Sequence, residues 1–268
     1  MYKKNQHILL LVRSLNSTKN ALNHALKIAH TFNSKVLVAN TPFSNNRITH
    51  KELENYISNI PEASAIQLNT SDNEPNQSIK QLNIIFLLVE VDNKKDFKFF
   101  LRNNIFHWIL NAKIPTFLIG NNTSLKTDYS NIILPIDHKK ESKEKMIWAS
   151  YFGRFNESAI HLIPAKEKED SFMKSIRNTL LFTKKMFSQF NFEYKILKSE
   201  CSSKHIDEEA FTMPTTNESD LVILMTGKIQ GIFLLRFNSI KIKHLLNSYA
   251  NPILLINPMK DYYLPCEG

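Results

Sequence analysis

The chain opens its two halves alike and closes them alike, so it is expected to build one small sheet twice. His7-Ile8-Leu9-Leu10-Leu11-Val12, followed by a polar turn and a helical stretch, is matched by Asn131-Ile132-Ile133-Leu134-Pro135-Ile136-Asp137, followed by the same. Ala112-Lys113-Ile114-Pro115-Thr116-Phe117-Leu118-Ile119 is matched by Ala250-Asn251-Pro252-Ile253-Leu254-Leu255-Ile256. In each closing segment Pro stands between a helix end and a strand start, where a residue without an N–H is tolerated. The polar run from Asn121 to Asp128 reads as a linker. The 268 residues are thereby divided into domains 1–122 and 123–268.

Within the first half, Ile8 to Val12, Lys35 to Ala39, Ile84 to Val89 and Thr116 to Ile119 are near-continuously apolar, as strands of a parallel sheet buried on both faces must be. Ala21, Leu22, Ala25, Ile28, Ala29 and Phe32 keep helical spacing and predict one apolar helix face. Lys51 to Ile60 and Lys94 to Asn111 also read as helices, the second with a Phe-rich core stripe. In the second half the spacing predicts strands at Ile132 to Ile136, Ala159 to Ile163, Phe192 to Leu197, Leu221 to Met225 and Ile253 to Ile256. Helices are predicted between them, at Lys143 to Phe152, Ser171 to Phe190, Ile206 to Thr212 and Leu234 to Tyr249. Strand and helix in alternation mean an α/β fold, a parallel sheet wrapped on both faces by right-handed crossovers, with about five strands in each half.

Glycine is scarce. Average usage of about 7% would supply roughly 19 glycines in such a chain, and it has 5. A loop that cradles phosphate needs glycine where the backbone takes positive φ or approaches the ligand, so such loops are expected to be damaged or absent. The apolar content of 43% is enough for a core. The longest strongly apolar run, Ile84 to Val89, falls far short of the roughly 20 residues of a membrane span. The segment Ile8 to Val12 ends at Arg13, short of a signal peptide's apolar region, and a cytoplasmic location is expected. Cys201 and Cys266 fit no metal or disulfide spacing and are read as two unpaired thiols.

The second half resembles a universal stress protein domain. In that family the first strand ends in Pro-x-Asp, as Pro135-Ile136-Asp137 does. The fourth runs Asp-Leu-Ile-Val-Met-Gly-Thr, which Asp220-Leu221-Val222-Ile223-Leu224-Met225-Thr226 approaches. The last strand, x-Pro-Val-Leu-x-Ile, is similar to Asn251-Pro252-Ile253-Leu254-Leu255-Ile256. The resemblance is strong from Asn131 to Pro258, weaker from His7 to Ile119, and spans both halves. It implies two tandem universal stress protein-like domains, each a five-stranded parallel, doubly wound, Rossmann-like sheet of order 3-2-1-4-5. It also implies a nucleotide crevice between first and fourth strands, where the strand order reverses.

In ATP-binding members the fourth strand leads into Gly-x-x-Gly, nine residues, then Gly with Ser or Thr. Aligned on Asn238-Ser239, the spacer is Ile229 to Phe237 and the glycine positions fall on Met225, Lys228 and Asn238. All three glycines are replaced, and only Asp137 and Ser239 persist. A Cβ at these places costs roughly 1–2 kcal/mol where φ must be positive, and it blocks the approach of phosphate. Lys228 offers a point charge in partial compensation. Gly227 and Gly231 read as a turn. In the first half Leu11-Val12-Arg13 puts a cation where the family has Asp, and Glu90 and Asp92 follow the fourth strand, so no nucleotide is expected there.

Asp137 has two readings, a ligand for adenosine or a cap for the turn that follows, and the loss of the glycines favours the cap. His161, inside an apolar strand, reads as a satisfied core histidine, while His138, His205 and His244 read as surface residues. No nucleophile, metal or P-loop pattern is present, so no catalytic residue and no enzyme activity are expected. The net charge is +9, but the charge runs mix signs, so nucleic-acid binding is not expected. The cluster Lys228, Arg236, Lys241 and Lys243 is the best place for an anionic contact.

The resemblance and the damaged motif together imply a non-catalytic stress-response protein with a regulatory or interaction role. It is expected to carry no cofactor, to pair its own halves as a pseudo-dimer through the strands led by Pro115 and Pro252, and to meet a protein partner. The alternative is an adenine-nucleotide-binding protein, a slow ATPase, with ATP or AMP in the second crevice. Its candidate residues are Asp137, Met225, Thr226, Lys228, Asn238 and Ser239. A third reading, a sensor for another small molecule, needs an open apolar pocket beside Asp137 and is opposed if Met225 or Phe233 fills the crevice.

Overall fold

The computed structural model describes residues 6–15, 18–40, 48–68, 79–91, 114–120, 122–212, 220–226, 244–246 and 248–257. Their contacts form two compact units, Met1–Thr127 with Ile229–Pro252, and Asp128–Lys228 with Ile253–Gly268. The strands are parallel throughout both units.

In the first unit β1 (His7–Val12), β2 (Lys35–Asn40), β3 (Ala63–Ile66), β4 (Ile84–Val91) and β5 (Thr116–Gly120) lie in the order β3-β2-β1-β4-β5. Ile8 to Val12 are fully buried, which is why the run carries no polar residue. Helix α1 (Thr18–Thr31) turns Ala21, Leu22, Ala25, Ile28 and Ala29 inward. It stops at Asn33, whose φ of 48° is left-handed, with the Ser34 N–H donating to the Ala29 carbonyl at 2.8 Å. Helix α2 (His50–Ile57) starts in a capping box: the Glu52 N–H donates to Thr49 Oγ1 at 3.3 Å and the Thr49 N–H to Glu52 Oε2 at 2.7 Å. Phe86 sits between Phe32 and Phe117 in the core, with centroids 4.9 and 5.6 Å away.

The second unit repeats the order as β8-β7-β6-β9-β10. Its strands are β6 (Asn131–Ile136), β7 (Ala159–Pro164), β8 (Tyr194–Ile196), β9 (Leu221–Met225) and β10 (Ile253–Ile256). Helices α3 (Ser142–Phe155), α4 (Asp170–Phe187) and α5 (Ile206–Thr212) connect them. Gly153 in α3 has a steric reason, because a Cβ there would stand 2.7 Å from carbons of the Phe192 ring.

The expected strands are present, with one strand added and several element ends shifted; α3 runs on to Phe155, and α4 ends at Phe187 rather than Phe190. β3 had no strand prediction, since Ala63-Ser64-Ala65-Ile66 is short and half exposed. The strand expected over Phe192 to Leu197 is only Tyr194–Ile196, and the helix expected over Lys51 to Ile60 ends at Ile57. The helix predicted over Lys94 to Asn111 lies outside the described residues, as does Leu234 to Tyr249 apart from its last turns, where 244–246 are helical.

A small polar clamp fastens the segment after β5 within the first unit. Asn20 Nδ2 donates to the Thr123 carbonyl at 3.0 Å, His24 Nε2 meets the Ser124 carbonyl at 3.0 Å, and the Ser124 N–H donates to the Ala250 carbonyl at 2.8 Å. His24 is fully buried, and burial holds its imidazole below the ordinary value of 6.5 although the Ser124 carbonyl pulls the other way. The folded state therefore favours neutral His24. Its contribution is complete above about pH 6.5 and is lost as the pH falls through the depressed folded value.

Two outcomes follow for stability. Gly153→Ala overpacks the Phe192 contact and lowers unfolding free energy by about 1–3 kcal/mol in urea titrations, despite alanine's better helix propensity. His24→Gln flattens the loss of stability as the pH falls below about 6.5; an unchanged slope would show that His24 does not carry it.

Candidate functional site

The crevice expected in the second unit lies at the carboxyl ends of β6 and β9. Pairing of these strands ends at Ile133↔Val222, whereas β6 continues along β7 through Ile136↔Pro164. Pro135 brings no N–H to extend the ladder. In the first unit the equivalent pairing of β1 with β4 runs on to Leu11↔Val89. The second unit therefore releases its central strands where a ligand would enter, and the first does not.

Asp137 follows β6 directly. Its Oδ1 accepts from the Lys139 N–H at 3.1 Å and from the Ser142 hydroxyl, and its Oδ2 lies 3.8 Å from Lys139 Nζ. These contacts fold the carboxylate onto the turn leading into α3, which is the capping arrangement. Lys145, from the first turns of α3, donates its ammonium to the Pro135 carbonyl and is buried. It thereby satisfies a backbone acceptor where the β6–β9 ladder has stopped. No reading of single motifs singles out Lys145. Its signal is helical spacing, since it shares the inner stripe with Ser142, Met146, Ala149 and Phe152.

On β9, Met225 is half-buried and pairs in register with Ile256. Thr226 is buried; its hydroxyl lies 3.2 Å from the Ile256 carbonyl and 2.9 Å from Asn257 Oδ1, and its N–H donates to the Ile256 carbonyl at 2.9 Å. Asp220, opening the same strand, accepts the Asn131 N–H at 3.0 Å and donates its own N–H to the Asn131 carbonyl at 2.8 Å. Lys228, Asn238 and Ser239 lie outside the described residues, as do Gly227, Gly231, Phe233, Arg236, Lys241 and Lys243. The structure thus brings Asp137 and Lys145 to the end of β6 and Met225 and Thr226 to the end of β9.

His138 is a correction to the surface reading. It is partly buried, its ring stacked on Phe172 at 3.9 Å between centroids and 10° between planes. Its N–H donates to Ser203 Oγ at 3.1 Å, the Ser203 N–H donates to Glu167 Oε1 at 2.7 Å, and that oxygen lies 3.9 Å from His138 Nδ1. Ser203's hydrogen bonding, with His138 assisting, holds the Glu167 carboxyl below its usual range. The cluster ties together the loops after β6, after β7 and before α5. It was hidden because its members are far apart in sequence and flanked by charged residues.

His161 on β7 is half-buried, with Nε2 3.2 Å from Asn131 Oδ1. Cys201 is a free thiol whose pKa is pushed up by burial and the nearby Glu209 carboxylate, and Cys266 lies outside the described residues. Among the described residues no group of three or more His, Cys, Asp or Glu could hold a metal ion. A shallow pocket lined by Glu144, Ile147, Trp148 and Tyr151 belongs to α3 and does not include Asp137.

No family model matches the chain, and no curated protein matches it in sequence. Solved structures do. A universal stress protein from Archaeoglobus fulgidus DSM 4304 superposes with a TM-score of 0.68 at 12% identity, over 96% of this chain and 97% of that one. The functionally unknown protein PA1789 from Pseudomonas aeruginosa PAO1 gives a TM-score of 0.61 at 11% identity over 95% and 92%. The cytoplasmic domain of a prokaryotic cation chloride cotransporter gives 0.58 at 11% over 94% and 95%. At such identities the likeness speaks for architecture alone, and it agrees with the strand orders above: the chain has a universal stress protein-like α/β fold.

Proposed function

We propose that this is a universal stress protein-like stress-response protein that works by contact rather than by turnover, is not an enzyme, and holds no nucleotide. Two tandem five-stranded domains, over 1–122 and 123–268, are part of the proposal, as are their pairing as an intramolecular pseudo-dimer, a cytoplasmic location and a protein partner. The observation that carries it is the commitment of the candidate site's polar groups to the protein itself. Asp137 caps the turn before α3, Thr226 ties β9 to β10, and Lys145 takes the carbonyl of Pro135. With Oδ1 of Asp137 already taking two bonds, a nucleoside hydroxyl would have to use Oδ2 beside Lys139 Nζ or displace a bond, and a buried polar group left without its partner costs about 1–3 kcal/mol. The replaced glycines at Met225, Lys228 and Asn238 act in the same direction.

A thermal-shift titration with ATP and with AMP tests this. A ligand at about 100 times its dissociation constant adds roughly 2.7 kcal/mol of stability, and no shift is expected at millimolar concentrations of either. Nucleotide released from the denatured protein, or a shift that Asp137→Ala abolishes, would establish the nucleotide-binding alternative instead. Asp137→Ala itself is expected to lower stability by about 1 kcal/mol, as loss of a cap does, equally with and without nucleotide. Thr226→Val keeps the side chain's shape, removes its hydroxyl and lowers stability by about 1–2 kcal/mol on the same measurement.

A further inference from the structure

Helix α4 carries a surface feature that neither the core nor the candidate site uses. Its inner stripe, Ile176, Thr179, Thr183 and Phe187, is buried. On its outer side Lys174, Arg177, Lys184 and Lys185 are exposed, and none makes an ion pair among the described residues. At about 100° per residue these four lie on both sides of Leu181, which is 60% exposed. Met173, 39% exposed, stands at the edge of the same face. From Ser171 to Phe192 the chain has no Asp or Glu. The bordering carboxylates are Glu169 and Asp170 at the helix start and Glu193 beyond its end, the last paired with Lys195 at 2.9 Å. Neighbouring α3 adds two cations seated on aromatic rings, Lys143 5.5 Å from the centroid of Phe182 and Arg154 4.2 Å from that of Phe190.

We propose that this face of α4 docks the protein on an anionic lipid surface. A convex helix line with a leucine at its crest and cations on either side matches a flat layer of headgroups. The leucine enters the acyl boundary while the lysine and arginine stems keep their charges at the phosphates. A nucleic-acid backbone would engage the cations, but it gives Leu181 nothing to bury against, and the crest carries no aromatic ring for a base to stack on. An acidic peptide would likewise engage the cations, but it brings no apolar layer for Leu181 to enter. Such docking is peripheral and reversible, since one short cationic line with one or two apolar side chains is far weaker than an inserted helix. Among the described residues no helix is long and apolar enough to cross a membrane.

Flotation of the full chain with vesicles tests the proposal, comparing phosphatidylcholine alone with a mixture containing about one third phosphatidylserine. Binding is expected on the phosphatidylserine vesicles only, and is lost in about half-molar salt. Each cation at such a surface is worth about a fivefold change in partition, so Lys184→Glu with Lys185→Glu lowers it by about 25-fold or more. Leu181→Ala lowers it several-fold with no change of charge. All three positions are exposed, so unchanged melting temperatures are expected. Lys35→Glu with Lys51→Glu changes the net charge equally on the first unit and leaves partition within about twofold. The proposal is overturned by failure to bind phosphatidylserine vesicles, by equal losses in the two double variants, or by tight binding to a short oligonucleotide with none to vesicles.

Discussion

A parallel sheet buried on both faces leaves its strand ends as the one place where the backbone must look for new partners. Along a strand paired on both sides the ladder satisfies the backbone N–H and C=O groups, and the side chains can be wholly apolar, as Ile8 to Val12 are. At the ends the ladder stops while burial continues, and an unpaired backbone group there is expensive. The polar residues of this fold are concentrated at those ends. Asp220 and Asn131 exchange bonds where β9 and β6 begin, Thr226 closes β9 onto β10 where they finish, and Ser158 and Asn156 bond the Tyr129 carbonyl before β6. Thr226, a candidate ligand in the linear motif, is in three dimensions also part of the closure of the sheet.

The same need explains how the chain manages with few glycines. Among the described residues Asn33, Asn83, Asn191, Tyr129 and Glu157 hold left-handed positions. Asparagine tolerates this region better than most side chains because it hydrogen-bonds locally. The helix stops of the fold can therefore be built without glycine. A phosphate-binding loop cannot be rebuilt in this way, because there the missing Cβ makes room for the ligand as well as for the backbone turn. Gly153 shows what glycine is kept for here, close approach of the Phe192 ring to a helix.

What was legible in the sequence was whatever rests on apolar periodicity. β1, β4, β6, β9 and β10 are continuous apolar runs, and α1 repeats every third or fourth residue, so burial writes them directly into the residue order. β3 was not legible because Ala63-Ser64-Ala65-Ile66 lies at a sheet edge and is too short and too exposed to alternate or to run apolar. The site was legible by halves. Asp137 could be placed after a strand and the lost glycines pointed to a cap, but its bonds to Lys139 and Ser142 were not legible, because many polar turns contain such residues. His138, Glu167 and Ser203 come from separate loops and Phe172 from the first turn of α4, and no spacing rule joins them before the sheet does. Lys145 was concealed in the opposite way: helical spacing puts it on the inner stripe of α3, but a charge there marks no motif.

The two units differ most at one residue of one strand. β1 carries Leu11 and remains paired with β4 through Leu11↔Val89, so the ladder takes up its backbone to within one residue of the strand end. β6 carries Pro135 in the corresponding place, its pairing with β9 stops at Ile133↔Val222, and the Pro135 carbonyl turns to Lys145. A proline in a central strand is ordinarily a defect. Here it opens the strand order's reversal point, the place where α/β sheets bind their ligands, and the lysine closes it again from within. The two effects belong to different residues on different elements: the proline of β6 ends the ladder, and the lysine of α3 gives the carbonyl left over a partner.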